Sequence, residues 1–183
     1  MAELIDLEKF RRKLMADKGF HTWLTRFQEQ FGPDTRLKDL TDATLLYLAT
    51  PGDEHLYVFF DLIMGAGGLG GSARFRLDDI APPTKLKIMD TAFALMDRVR
   101  FEVMRRLGWV INAPDEDTPL IALVKKAWSQ EENFAAAVPD LDPGRPEYAA
   151  YEKLPPIDRR VFVRRLIPQA VTEFRALVEG ART

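Results

Sequence analysis

The chain of 183 residues has no cysteine, only two histidines (His21 and His55) and only two serines (Ser72 and Ser129). Its charges nearly cancel, 26 basic against 28 acidic. Without cysteine there is no disulfide, no iron–sulfur cluster and no thiolate-bound zinc. Neither histidine has a second nitrogen ligand at helical spacing, which removes a histidine-rich metal site; no metal or other cofactor is expected. Neither serine stands in a nucleophile-elbow context, so no Ser-His-Asp hydrolase is expected. Balanced charge argues against a protein devoted to general nucleic-acid binding. No stretch approaches the roughly 18 uncharged apolar residues of a membrane span. The start, Met1 to Lys9, lacks the basic and apolar regions of a secretory signal, so the expectation is a cytoplasmic protein with no membrane partner.

What is present is apolar material, 46% of the residues. That is too much for a disordered chain, and the length suits one helical domain over 1–183. The charge is unevenly spread: residues 115–152 carry 3 basic and 9 acidic groups, and residues 153–183 carry 7 and 3. Such segments face solvent, one another or a partner, and exposed pairs between them contribute little at ordinary salt.

Apolar spacing is helical almost throughout. Leu7, Phe10 and Leu14 share one face; Phe20, Trp23, Leu24, Phe27 and Phe31 share another, out of phase with the first. A break is predicted at Asp17-Lys18-Gly19, with a left-handed cap at Gly19, and a second stop at Gly32-Pro33. A short helix follows from Thr41 to Thr50. Leu56 to Met64 is ambiguous between helix and strand, because Tyr57-Val58-Phe59-Phe60 has strand-like composition while Asp53 and Glu54 suit a helix start. Ala73, Phe75 and Leu77 alternate with polar residues, predicting one short extended segment over 73–77. Pro82-Pro83-Thr84 opens the longest helix, about 84–107, with Gly108 as its stop. Further helices are expected from Pro119 to about Val138 and from Asp158 to Glu179. A proline-rich connector, 138–156, holds one turn at Glu147 to Glu152. The fold class that follows is an all-α bundle of six to eight helices around the 84–107 helix.

The glycine-rich loop, 65–72, matches the letters of a dinucleotide-binding fingerprint. The context is wrong, because no helix follows at once and no second strand ends in an acid. Gly65 reads as a helix C-cap. A weaker chemical option is an anion or ligand contact built from Gly67, Gly68, Gly70, Ser72, Arg74 and Arg76, combining backbone amides with guanidinium groups.

On the long helix Arg100 falls within an apolar sector, and Asp97, three residues earlier, is placed to pair with it. Together with Asp90 these residues form either a structural ion pair or the lining of a pocket. Arg160, Arg164 and Arg175 align on one flank of the last helix, where a nucleic-acid contact is the weakest reading and a solvated flank the stronger. Pro168 should bend that helix near Arg164 or Arg165.

No catalytic set assembles from these residues, so an enzyme is the less favoured class. The leading expectation is a non-enzymatic helical interaction or regulatory protein with a protein partner or self-association, including a homodimer. Phe59, Phe60, Phe75, Trp109 and Trp128 are candidates for the partner surface. The alternative is a small enzyme or ligand-binding protein that contacts a small anionic ligand through the glycine loop and Arg74/Arg76.

Overall fold

The computed structural model describes residues 6–70, 73, 77–131 and 133–181. Its named α-helices are α1 (Leu7–Gly19), α2 (His21–Phe27), α3 (Asp42–Ala49), α4 (Asp53–Ala66), α5 (Pro82–Arg106), α6 (Leu120–Trp128), α7 (Tyr148–Tyr151) and α8 (Pro156–Gly180). Among the described residues there is no strand, only isolated bridges between Arg36 and Pro119 and between Val110 and Leu141. The protein is all-α, and α5 lies at the centre, packed against α3, α4, α6 and α8.

Most helix starts follow their local chemistry. Asp6 accepts from the N–H groups of Glu8 and Lys9, both at 3.1 Å, and Thr41 accepts from Thr44 N–H at 3.2 Å. Both side chains satisfy amides that the first turn leaves without partners. Pro82 and Pro83 open α5, where a missing N–H costs nothing. Leu56 to Met64 is helical, inside α4, with Asp53 and Glu54 in its first turn.

The ends are less obvious. α5 closes in a Schellman motif: Gly108 has φ +71°, its N–H reaches Arg105 O at 3.0 Å, and Trp109 N–H reaches Met104 O at 2.9 Å. α4 closes the same way three residues after the predicted cap. Gly68, at φ +68°, is the left-handed residue, and Leu69 N–H bonds Met64 O at 2.8 Å. α6 also closes so, through Gln130 at φ +51°, with Glu131 N–H on Lys126 O at 3.2 Å. The helix expected to reach Val138 therefore ends at Trp128, on a residue type that announces no stop. α2 likewise ends before Gly32-Pro33, with Gln28 at φ +55°.

Gly65 and Gly19 have a different role from the predicted caps. A Cβ on Gly65 would lie 2.4 Å from Lys18 O, and one on Gly19 would lie 3.2 Å from Leu62 O. The two glycines let the backbones of α1 and α4 touch where they cross. As a result α1 buries Ala16 and Gly19, and its stripe of Leu7, Phe10 and Leu14 stays exposed. The second stripe behaves as its spacing predicts at Phe20 and Trp23, which are fully buried, whereas Leu24 is exposed. Phe31 stacks on Phe20 at 5.2 Å from the loop, and Trp23 Nε1 donates to Val58 O at 2.8 Å.

Two further expectations fail here. The segment 73–77 is not extended at its described ends: Ala73 is helical, and Leu77 opens a 3-10 turn, Leu77–Asp79. Residues 74–76, the middle of that segment, lie outside the described residues. Ala73 is held by its N–H, which donates to Asp61 Oδ1 at 2.6 Å. The proposed partner-surface residues Phe59, Phe60 and Trp109 are core residues, Trp128 is partly buried, and Phe75 lies outside the described residues. Large apolar side chains are the first to be buried, so their number alone does not mark a surface.

α8 runs without interruption through Pro168. The connector before it holds α7, and Tyr151 at its end donates to Asp140 Oδ1 at 2.7 Å. Arg145 lies over the Trp109 ring at 3.8 Å, pinning the connector to the end of α5.

Candidate functional site

The glycine loop does not assemble an anion cradle from its described part. Gly67 is the C-cap of α4, and its N–H is committed to Ile63 O at 2.9 Å. Gly68 N–H is committed to Gly65 O at 3.1 Å. Gly70 has φ +108°. Ser72, Arg74 and Arg76 lie outside the described residues. Two of the three glycine amides that the motif would offer are already used to end a helix.

The second candidate set comes together. Asp90, Asp97 and Arg100 project from α5 into a cleft of about 620 Å³, closed on the other side by Phe134 and Arg164. A second lobe of about 510 Å³ continues past Asp97, Arg100 and Arg164 to Pro168 and Arg175 of α8, to Ala49 at the end of α3 and to Pro51 after it. Both volumes lie within the range of small-molecule sites.

Pairing inside the cleft differs from the expected one. Asp97 Oδ2 accepts from Arg164 Nε at 3.2 Å, not from Arg100. Arg164 also donates through Nη2 to Ala135 O at 2.7 Å. Arg100 donates through Nε to Ala49 O at 3.3 Å, and among the described residues no carboxylate lies within ion-pair distance of it. Helical neighbours three apart do face each other, but α8 brings a second guanidinium to the same carboxylate, and Arg164 takes it.

Burial pushes the Arg100 pKa down, opposed by the negative charge of Asp97. Arginine remains a cation even so. Among the described residues four of its five N–H donors have no protein acceptor, and it is half-buried. Arg175, at the rim, spends one donor on Thr50 Oγ1 at 3.2 Å. The second lobe thus presents three guanidinium groups against the single carboxylate of Asp97. A planar fork of this kind suits a carboxylate or phosphate, which it binds through two parallel hydrogen bonds.

The loop after α6 completes the first lobe. Gln130 and Asn133 line it at φ +51° and +67°, backbone conformations that side chains other than glycine seldom adopt. They turn the chain so that the carbonyls of Phe134 and Ala137 point at Arg98, which donates to both. Arg98 is 1% exposed, pairs with Asp115 at 3.2 Å and lies over the Phe134 ring at 4.3 Å. Burial pushes its pKa down and Asp115 opposes the shift. This buried arginine holds one wall of the cleft.

No known family model, curated protein or solved structure matches the chain.

Arg98 is what the sequence reasoning missed. Helical phase pointed to Arg100 as the charge within an apolar face, yet Phe93 of that face is 49% exposed and the sector is the open cleft. Arg164 and Arg175 were legible only as one flank of α8; that α5 supplies the facing wall is a tertiary fact. Arg160, on the same flank, is exposed and outside the cleft. Among the described residues no group of three or more histidines, aspartates or glutamates is gathered to hold a metal ion, and no helix is long and apolar enough to cross a membrane.

Proposed function

We propose that this protein is a ligand-binding protein for a small anion, taken up in the second lobe between α5 and α8. One observation carries the reading: among the described residues Arg100 is a half-buried cation with a single protein hydrogen bond and no carboxylate partner, facing a cleft that Arg175 also borders. A desolvated charge without a counterion is costly, and a bound carboxylate or phosphate supplies the counterion. The ligand departs from the earlier expectation in its site, with Arg100, Arg164 and Arg175 in place of the glycine loop and Arg74/Arg76.

The test is titration calorimetry with inorganic phosphate, phosphate monoesters and mono- and dicarboxylates at low chloride. At least one should bind, more weakly as salt rises. Arg175→Ala, at the exposed rim, should weaken that anion about tenfold, which corresponds to about 1.4 kcal/mol. A panel in which no anion binds, or binding that Arg175→Ala and Arg100→Gln both leave unchanged, rejects the reading.

A second reading, self-association as an interaction protein, is favoured by one feature of α5. Leu86, Met89 and Phe93, spaced i, i+3, i+7, are 62%, 40% and 49% exposed. A homodimer through this stripe would be seen by light scattering at tens of micromolar and should dissociate in Leu86→Lys. A monomer across that range rejects it.

A further inference from the structure

A second groove, separate from the arginine cleft, runs between α1 and α6. Its wider lobe, about 450 Å³, is lined by Leu7 and Met15 of α1, Ile121 of α6, and Pro33 and Pro119. A narrower lobe of about 140 Å³ continues between Ile63, Leu69, Val124 and Trp128. Met15 and Lys125 line both lobes, so the two meet there.

The lining is mostly apolar, and the wider lobe is also cationic. Leu7, Arg11 and Met15 fall in a single i, i+4 row on α1, which places a guanidinium between two apolar side chains. Arg11, Arg12 and Lys125 border the wider lobe against the single carboxylate of Glu8. Among the described residues neither Arg11 nor Lys125 has an ion-pair partner, and Arg12 reaches only the exposed Asp34, at 3.9 Å. The narrower lobe has no charged lining residue beyond Lys125 at its mouth: it is closed by the indole of Trp128, over whose ring the Lys87 ammonium lies at 4.7 Å, and by Leu69, the residue that follows the left-handed glycine of the α4 cap. The glycine-rich stretch therefore contributes an apolar wall here.

A groove whose wider lobe is cationic and whose narrower lobe has an apolar lining beyond Lys125 is complementary to a molecule with an anionic head and an apolar tail. We infer that it binds a free single-chain carboxylic acid of medium length, with the carboxylate between Arg11 and Lys125 and the alkyl chain running past Met15 to Trp128. A second copy of this chain is the poorer occupant. A second copy seated there would have to bury Arg11, Arg12 and Lys125 against the one carboxylate of Glu8.

Tryptophan fluorescence tests the site and the orientation together. Trp23 and Trp109 are fully buried, and Trp128 is the partly exposed one. Octanoate, decanoate and dodecanoate, kept below their micellar concentrations, should bind with affinity rising with length. A bromine on the terminal carbon of dodecanoate should quench emission, and Trp128→Phe should lose that quenching while keeping the affinity measured by calorimetry. Arg11→Glu with Lys125→Glu, both at exposed positions, should weaken binding at least tenfold, and Arg175→Ala should leave it unchanged. The inference is overturned if dodecanol or dodecyltrimethylammonium binds as well as dodecanoate, if the bromine does not quench Trp128, or if Arg175→Ala abolishes binding. It is equally overturned if the protein binds phosphatidylglycerol vesicles and not the free acids.

Discussion

At the scale of single residues, the most consequential side chain is Arg98. It is buried, yet each of its three guanidinium nitrogens donates to an acceptor, Nε to Asp115 and the two Nη to the carbonyls of Ala137 and Phe134, with an aromatic ring beneath. Removing one partner of such a set leaves the others dehydrated and unpaired, which is why breaking a buried pair costs far more than the pair contributes. Arg98→Ala should lose about 3–5 kcal/mol by urea or thermal unfolding. A loss below about 1 kcal/mol would mean that the two loops hold their shape without it. The same residue shows why side-chain roles were only partly legible. Positions 98 and 100 differ by 200° of helical phase, and phase says which face a residue occupies without saying which face is covered. Coverage came from α8 and from the loop after α6, neither of which is local to α5.

At the scale of elements, the sequence was most readable where a residue type has a single stereochemical use. Pro82-Pro83 as a start has that property. Gln28 and Gln130 do not, and the helices they end were predicted too long. Gly65 lies between these cases: glycine announced that something there tolerates no side chain, but the two uses of glycine, a positive φ and a close approach, look identical in sequence. The close approach is the right one, and it yields a measurable outcome. A methyl group at Gly65 would sit 2.4 Å from the Lys18 carbonyl, a backbone atom that no rotamer change can move aside. Gly65→Ala should therefore part α1 from α4 and cost about 1–3 kcal/mol, the usual range for overpacking, even though alanine is the better helix former. Hydrogen exchange should quicken in α1 before α5. An alanine variant as stable as the parent would show that α1 and α4 part at the crossing without loss.

At the scale of the whole molecule, the uneven charge noted in the sequence resolves into particular pairs. The acidic stretch 115–152 is answered mainly by cations outside the tail: Asp115 by Arg98, Glu116 by Arg105 and Asp117 by Lys38. The basic tail is left with Arg164 and Arg175 turned to the cleft. Ties of this kind join loops to α5, and a single cluster of buried residues runs from Ala16 to Val178. Because α5 packs against α3, α4, α6 and α8, none of those helices can leave without exposing part of the shared core. Unfolding should then be one cooperative event. The three tryptophans test this from within: Trp23 sits in α2, Trp109 just after α5, and Trp128 at the end of α6. Variants retaining one tryptophan each, the others replaced by phenylalanine, should have coincident fluorescence and far-ultraviolet dichroism transitions within every variant. A Trp23 signal that melts apart from the helical signal would divide the chain into two folding units, with α1 and α2 forming the weaker one.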